Sequence, residues 1–437
     1  MPDTQSYTFL ANQPAGANHL DLVTRYICRH RSAWTEPSTG KTMPILMVMQ
    51  LGDLVELADR EEKLAGPFAE WKRVDAAFQN LDRCSPKVPY VVTNGNHEVD
   101  DFTYERPSVG YGTYFHPDRW AKQGVACKAP DDCDWSAGQY FLGAGDPIAP
   151  NSRNFIDDDG GRIGPAVEQV GRHRAARIEA PNGQPFLFLG LEQAFDFPPA
   201  AAGYESVERD DAAWPKRILE VHPRVATIVF HHSLLWAFPP PDTRIRWGPE
   251  TWRSQSIRPP AGTARDPDFA SEGGMKDLFD LLIEPYPQVR FLFSGHVYKP
   301  THQADYTIPR NSGPPVWAFM RNYQRIGLPG RRDRYGVGWN AVAVFDPEAQ
   351  QVRVRSYRID DVESYAVPPV NHDHRGEPAA TECLETDQGG IGERVITWDF
   401  KTSDASAPTF SGSASKGPAV SVAVAALSTP LQRSQIP

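Results

Sequence analysis

The sequence lacks several features that would assign it to a protein class at first sight. Its five cysteines follow no regular spacing, so they do not form a zinc-binding framework. No apolar run approaches the roughly 20 residues that a membrane-spanning helix needs. Acidic residues outnumber basic ones, and the net charge of -10 argues against a dedicated nucleic-acid surface, which needs clustered basic charge. The sequence therefore predicts no membrane span and no dedicated surface for nucleic acid.

A secretory leader is also absent from the sequence as written, because its first residues contain neither a basic segment nor an apolar one. On this basis the protein is predicted to be cytoplasmic, whereas a start farther upstream would make export plausible. Cys127 and Cys133 flank the short segment CKAPDDC. They either close a small disulfide loop, which requires a compartment outside the cytosol, or remain free thiols.

The features that are present are those of an ordinary globular chain. It has 437 residues, of which 40% are hydrophobic and 23% charged, enough for one large α/β domain and a smaller piece. We assign residues 1–365 to the large domain. From about residue 366 the composition shifts to Pro, Gly, Ser, Thr and Ala, so residues 366–437 are predicted to form a C-terminal extension that is largely flexible.

Apolar periodicity predicts helices alternating with buried strands in the large domain. The predicted helices span residues 20–30, 68–81, 210–221 and 275–283, and the predicted strands span 45–49, 90–92, 184–191, 225–230 and 289–293. Alternating apolar and polar residues over 340–345 and 351–358 predict a hairpin, and 395–400 could add a strand. Two long irregular stretches, 101–180 and 237–274, are interpreted as loops over a site.

Four of these strands end in a polar turn. Asp53 follows the first, Asn96 and His97 follow the second, and His232 and His296 follow the last two. Sites in open α/β sheets lie at the carboxyl ends of strands. A mixture of carboxylate, amide oxygen and imidazole suits divalent transition metals such as Mn, Fe or Zn better than Ca. The sequence therefore predicts a metal centre at these strand ends.

In this order, the motifs resemble those of the calcineurin-like metallophosphoesterase superfamily, over roughly residues 2–360. The matching pieces are Gly52-Asp53, the GNHE segment Gly95–Glu98, His232 and Gly295-His296. More closely, the chain is similar to a bacterial subgroup whose first motif reads PDTQ, here Pro2–Gln5. The resemblance implies a four-layer α/β sandwich, in which two mixed β-sheets are flanked by helices and carry a metal centre.

The resemblance also implies a set of metal ligands. Asp53 would bridge two ions, and the shell of one ion would be completed by Asn96, His232 and His296. His232 is preferred to its neighbour His231 because the resemblance supplies a His-Ser pair after the strand. His231 would then face the substrate or the core.

The second ion would be held by Asp3. At this second site the sequence departs from the family pattern at two positions. Gln5 stands where most relatives have a His ligand, and offers an amide oxygen or only indirect support. The family motif GHxH ends here in Tyr298, so a second His is missing, and His302 is either a substitute or a plain loop residue. A strand that should precede Asp3 is also missing, which favours a chain start upstream of Met1 over a truncated fold.

The activity that the resemblance implies is hydrolysis of phosphate esters. A metal-activated hydroxide would attack a phosphorylated small molecule or a phosphodiester, with one or two divalent ions per chain. His97 would protonate the leaving group, held by a carboxylate such as Glu98 or one from elsewhere. The alternative is a catalytically impaired pseudo-phosphoesterase that binds a ligand or partner, a reading motivated by Tyr298 and Gln5.

Overall fold

The computed structural model describes the following residues of the chain: 4, 18–36, 39–55, 69–98, 109–115, 119, 143–144, 173–191, 213–235, 278–296, 303–311, 313–322, 327–328, 331–335, 339–359, 364–365, 394–398 and 420–422. No helix within these ranges is long and apolar enough to cross a membrane.

The helices lie in the order α1 (His19–His30), α2 (Ala69–Asp82), α3 (Val109–Tyr114) and α4 (Ala213–Val221); residues 278–282 are also helical. The strands are β1 (Trp34–Thr35), β2 (Thr42–Met43), β3 (Val48–Gln50), β4 (Tyr90–Val92), β5 (Gly143–Ala144), β6 (Arg174–Glu179), β7 (Pro185–Leu191), β8 (Ala226–His231), β9 (Val289–Ser294), β10 (Gln303–Ile308), β11 (Val316–Arg321), β12 (Gly327–Leu328), β13 (Arg331–Tyr335), β14 (Trp339–Asp346), β15 (Gln351–Ile359), β16 (Ser364–Tyr365), β17 (Arg394–Thr397) and β18 (Val420–Val422).

The main sheet is mixed and has the strand order β10-β11-β9-β8-β7-β6-β5. Its central strands β7, β8, β9 and β11 run parallel, and the flanking strands pair antiparallel. Strands β3 and β4 form a separate parallel pair. A further sheet contains β14 and β15, with β16, β17 and β18 beside them. The coarse prediction of a mixed α/β fold is therefore confirmed.

Both faces of the main sheet are buried, which explains why its central strands read as continuous apolar runs. Successive residues of β7 alternate between two cores. Phe186 and Phe188 join the core shared with β3, β4, β14, β15 and β17, whereas Leu187 and Leu189 join a second core with α4 and residues 278–282. The main sheet thus has helices against one face and other strands against the other.

Aromatic rings fill the space between the main sheet and the β14–β15 sheet. The centroid of the Phe345 ring on β14 lies 5.1 Å from that of Phe186 on β7 and 5.2 Å from that of Phe291 on β9. Trp398, directly after β17, stands edge-on to the same rings. Such edge-to-face pairs add to the stability gained from burial, so this cluster helps to hold the two sheets together.

Helix α1 is capped at its first turn and is crosslinked to the segment after α2. Asn18 caps α1 by accepting from the Asp21 N–H at 3.1 Å, which satisfies an otherwise free N–H of the first turn. A disulfide connects Cys28 on α1 to Cys84 just beyond α2. Disulfides persist in oxidising compartments. Cys127 and Cys133 lie outside the described residues.

The predicted elements agree with the structure at most positions, but several observed strands were not predicted, including β10 and β11 of the main sheet. The stretch 101–180, predicted as loops, includes α3, β5 and β6. In the extension predicted for residues 366–437, β17 pairs with β15 and agrees with the strand predicted at 395–400, whereas β18, which pairs with β14, was not predicted. The strands that were not predicted gain their stability from pairing and from buried neighbours, which local sequence patterns do not report. The loop predicted over 237–274 lies outside the described residues.

The disulfide gives a prediction about stability. Replacing both Cys28 and Cys84 with serine should lower the free energy of unfolding by about 2–4 kcal/mol, because the crosslink closes a long loop and restricts the unfolded chain. The sequence separation of the two cysteines is 56 residues. Chemical denaturation of the oxidised protein and of the double variant measures the difference.

The control is the unaltered protein under reducing conditions, which should lose the same free energy as the double variant. Thiol alkylation of the unfolded, unreduced protein followed by peptide mass measurement checks the pairing. Modification of both Cys28 and Cys84 under these conditions would contradict it.

Candidate metal centre

The carboxyl ends of two strand pairs meet at the candidate site. Strands β3 and β4 run parallel, and the turn after β3 carries Asp53 while the turn after β4 carries His97. In the main sheet β8 and β9 also run parallel, and His232 and His296 follow their carboxyl ends. Since parallel strands end at the same edge of a sheet, each pair delivers its polar turns to one place.

Asp53, His232 and His296 form a cluster whose ligand atoms all lie within 4.8 Å of one another. Nε2 of His232 lies 3.2 Å from Oδ2 of Asp53, and 3.0 Å from Nδ1 of His296. The Asp53 and His232 side chains are almost fully buried, at 2% and 0% exposed. A buried carboxylate and two imidazoles therefore face one small volume.

The tautomer of His232 follows from its other ring nitrogen. Nδ1 of His232 lies 2.8 Å from the carbonyl oxygen of Leu51. A carbonyl only accepts hydrogen bonds, so Nδ1 carries a proton, and Nε2 is the ring nitrogen that faces Asp53 and His296. An imidazole that donates to a carbonyl with one nitrogen and presents the other is the usual arrangement of a metal-binding histidine.

Electrostatics favour the ligand forms of the other two residues. Burial raises the pKa of Asp53, but the charges of His232 and His97 oppose it and hold the pKa below its usual range. Burial, with the nearby charge of His232, lowers the pKa of His296 to about 3. Near neutral pH the cluster thus holds an ionised carboxylate and a neutral His296 imidazole, the forms that bind a cation.

Two of the three candidate ligand residues have a left-handed backbone, with φ of 51° at Asp53 and 63° at His296. This conformation is uncommon for residues other than glycine, and it persists only where the surrounding structure enforces it. Gly52 precedes Asp53 with φ of 90°. A Cβ at Gly52 would lie 2.7 Å from His232 Nδ1, and one at Gly95 would collide with the Asp53 carboxylate. Only glycine fits these two positions without displacing a ligand.

Glu98 holds the turn that carries Asp53. Its Oε1 accepts the N–H groups of Leu54 (2.5 Å) and Val55 (3.0 Å), and its Oε2 accepts those of Asp53 (2.7 Å) and Gly95 (2.6 Å). Burial and the charge of Asp53 raise the pKa of Glu98 to about 7, and the backbone donors oppose the rise. The predicted bond from Glu98 to His97 is not found among the contacts of the described residues, because all four partners of Glu98 are backbone groups.

Other polar side chains fix the flanking turns. The Gln50 amide donates to the carbonyl oxygen of Gly52 at 2.8 Å and accepts its N–H at 2.7 Å. Gln50 also donates to the hydroxyl of Thr4, whose N–H donates to the Asp53 carbonyl at 2.8 Å. Asn322, directly after β11, donates to the carbonyl of His296 at 2.7 Å. Each left-handed ligand residue is therefore held by a neighbouring element.

The predicted site residues fall into three groups. Asp53, His232 and His296 lie close together in the structure. The His97 N–H donates to Asp53 Oδ1 at 3.1 Å, and its half-buried side chain adjoins the cluster closely enough to lower the pKa of both Asp53 and His296.

The remaining predicted ligands are Asn96, Asp3 and Gln5. Asn96 begins the 3-10 turn Asn96–Glu98. Asp3, Gln5, Tyr298 and His302 lie outside the described residues. His231 is fully buried, and its Nδ1 accepts the N–H of Ser233 at 3.1 Å. The role of Glu98 was missed by sequence reasoning, because a carboxylate bonded to backbone groups leaves no pattern of side-chain types.

The donor set fits a divalent transition metal. Atoms that share one ion at about 2.1 Å lie about 3 Å from one another, close to the separations of 3.2 Å and 3.0 Å found here. Three electron-rich atoms packed this closely repel unless a proton or a cation lies between them. Asp53, His232 and His296 could therefore hold such an ion, and mixed oxygen and nitrogen donors suit Mn, Fe or Zn.

Comparisons with known proteins give distant likenesses. No family model matches the sequence. The chain is similar to the uncharacterized protein YvnB of Bacillus subtilis (strain 168), at 22% identity over 326 residues, which are 72% of this chain and 17% of that protein. The chain thus spans less than a fifth of that relative's length. Among solved structures it is similar to GAP50, the anchor in the inner membrane complex of Plasmodium, with a TM-score of 0.36 and 8% identity over 81% of this chain and 85% of that one.

The glycine before Asp53 gives a test of the site geometry. Gly52→Ala should weaken Mn²⁺ binding by at least ~10-fold, about 1.4 kcal/mol, because the added Cβ meets His232 and the Gly95 backbone. Isothermal titration calorimetry on the purified protein measures the change in affinity.

Gly183→Ala is the matched control, since Gly183 also has positive φ, at 83°, but a Cβ there meets nothing within 4 Å. That variant should lose only the strain energy of a left-handed alanine, about 1–2 kcal/mol, and bind Mn²⁺ normally. Equal losses of affinity in both variants would show that backbone strain, not collision with the ligands, is responsible.

Proposed function

We propose that the protein is a metal-dependent hydrolase of phosphate esters and a member of the calcineurin-like metallophosphoesterase superfamily. One observation carries this proposal. A carboxylate and two imidazoles, from turns that the sequence singled out by their motifs, lie within 4.8 Å of one another at the ends of parallel strands. The substrate would be a phosphorylated small molecule or a phosphodiester.

The ion would be held by Asp53, His232 and His296, with Asn96 as a fourth ligand implied by the resemblance. When bound, a divalent ion lowers the pKa of water and neutralises charge on phosphoryl oxygens. The protein's contribution is to fix the ligands in advance. The Leu51 carbonyl orients His232, and the backbone bonds around Asp53 fix its carboxylate, so little reorganisation accompanies binding.

His97 is proposed to donate a proton to the leaving oxygen. Its N–H is bonded to Asp53 Oδ1 at 3.1 Å, which ties the residue to the metal ligands. Its side chain is half-buried, as is that of His296, whereas those of Asp53 and His232 are buried, so a substrate could approach it. A positioned general acid of this kind contributes about 10²–10⁴-fold to a rate.

A second ion is proposed next to the first, held by Asp53 and Asp3, with Gln5 as a ligand or an indirect support. Thr4 supports this proposal, because its bonds to Asp53 and Gln50 fix one residue of the Pro2–Gln5 motif beside the Asp53 turn. The replacement of the family's second His by Tyr298 predicts that this second site is the weaker one.

The finer fold proposal is the four-layer sandwich implied by the resemblance. The helices against one face of the main sheet and the strands against its other face support it. The packing of α1 and α2 into the same core as β3 and β4 also supports it.

The test is hydrolysis of an aryl phosphate monoester and an aryl phosphodiester by purified protein with Mn²⁺, with the metal content read on the same sample. Asp53→Ala should abolish turnover, because it removes the proposed bridging ligand. His97→Ala should lower turnover by about 10²–10⁴-fold while leaving tight metal binding in place. The better of the two esters identifies the substrate class.

His222→Ala is the control, because His222 precedes β8 at the edge of the sheet opposite His232. This variant should keep full turnover. Turnover that survives Asp53→Ala would point to a contaminating phosphatase and contradict the proposal. One bound ion without turnover would favour the ligand-binding alternative.

A further inference from the structure

We infer that Glu98 is a positioning residue of the metal centre, which acts by holding the Asp53 turn in its ligand-presenting conformation. The inference rests on the proposed function, which supplies the metal site formed by Asp53, His232 and His296. It goes beyond that proposal because it assigns a role to a group that does not itself face the ion.

The carboxylate of Glu98 is saturated by backbone donors. Each oxygen accepts two N–H groups, at 2.5 and 3.0 Å for Oε1 and at 2.7 and 2.6 Å for Oε2. A carboxylate has about four acceptor sites, so none remains for a metal ion or for the His97 ring. Glu98 is also fully buried, which excludes contact with a substrate.

Three of the donors are consecutive: the N–H groups of Asp53, Leu54 and Val55. In an extended strand successive N–H groups point to opposite sides; where left-handed residues make the backbone depart from that conformation, they can face one side and form a concave turn that binds anions. Gly52 and Asp53 supply that departure, with φ of 90° and 51°. The Glu98 carboxylate is the anion that occupies this turn.

The same turn directs the side chain of Asp53 toward the other ligands. While its N–H donates to Glu98, its Oδ2 lies 3.2 Å from Nε2 of His232. The left-handed conformation that Glu98 stabilises is therefore the one that delivers the carboxylate to the cluster. Without an anionic acceptor, three buried N–H groups would lose their partner, and the turn would relax toward a conformation in which they find another.

Glu98 also joins two motifs that are distant in sequence. Its bond to the Gly95 N–H closes its own turn after β4, and its bonds to residues 53–55 reach the turn after β3. The N–H of His97, from the same turn, donates back to Asp53 Oδ1. Hydrogen bonds therefore run in both directions between the two turns, and Glu98 accepts most of them.

The test compares Glu98→Gln with a variant that is destabilised elsewhere. Glutamine keeps the size of the side chain but replaces one acceptor oxygen with an NH₂ group, which would face two backbone N–H donors. Mn²⁺ affinity from calorimetry should fall at least tenfold. The visible absorption spectrum of the Co²⁺-loaded protein should change in intensity or wavelength, because Asp53 would no longer be held in the same geometry.

Leu219→Ala is the matched control, since Leu219 is buried in the core on the opposite face of the main sheet. It should lower the melting temperature as much as Glu98→Gln or more, and leave Mn²⁺ affinity and the Co²⁺ spectrum unchanged. If Glu98→Gln binds Mn²⁺ like the unaltered protein and keeps its Co²⁺ spectrum, the inference is overturned.

These readouts separate this inference from the proposed function. Loss of metal affinity in Glu98→Gln, in a protein that hydrolyses no phosphate ester, would support the inference and contradict the proposed function. Unchanged metal binding in Glu98→Gln with full hydrolysis would do the reverse. An unaltered protein that binds no divalent ion would overturn both.

Discussion

The hydrogen bond between His232 Nδ1 and the Leu51 carbonyl is the contact on which the candidate site depends. Leu51 follows β3, and His232 follows β8 in the main sheet, so the 2.8 Å bond joins the two strand systems at their carboxyl ends. The Gly295 N–H donates to the His232 carbonyl at 2.8 Å, which extends the connection to the turn of His296. Side-chain ligands and backbone groups are therefore fixed by one continuous set of bonds across both sheets.

The interior polar groups around this contact are satisfied mainly by backbone partners. Gln50 bonds to its own turn, Glu98 bonds to four N–H groups, and Asn322 bonds to the His296 carbonyl. Since buried polar groups are costly without partners, each of these bonds restrains the turn that it contacts. The left-handed residues Asp53 and His296 are stable in this frame although isolated peptides would rarely adopt their conformation. Folding therefore fixes the conformations of the candidate ligands before any ion binds.

The sequence predicted the strands that carry the site because their apolar runs are continuous and end abruptly in polar turns. It also predicted Asp53, His232 and His296 as a group, because parallel strands align their carboxyl ends. It did not predict the role of Glu98 or the Cys28–Cys84 disulfide, since both depend on contacts between elements that only the folded chain brings together. Strands such as β6 and β18 were missed for the same physical reason: their stability comes from pairing and burial, not from a local pattern.

The ligands of the candidate centre come from two different strand systems, Asp53 from the β3–β4 pair and the two histidines from the main sheet. An ion bound there would cross-link the two layers noncovalently, in the folded state alone. Its binding free energy would then add to the stability of the whole domain, by about 2.7 kcal/mol at a free concentration 100 times the dissociation constant. The protein's resistance to heat and proteolysis would in this way become a function of the metal supply of its surroundings.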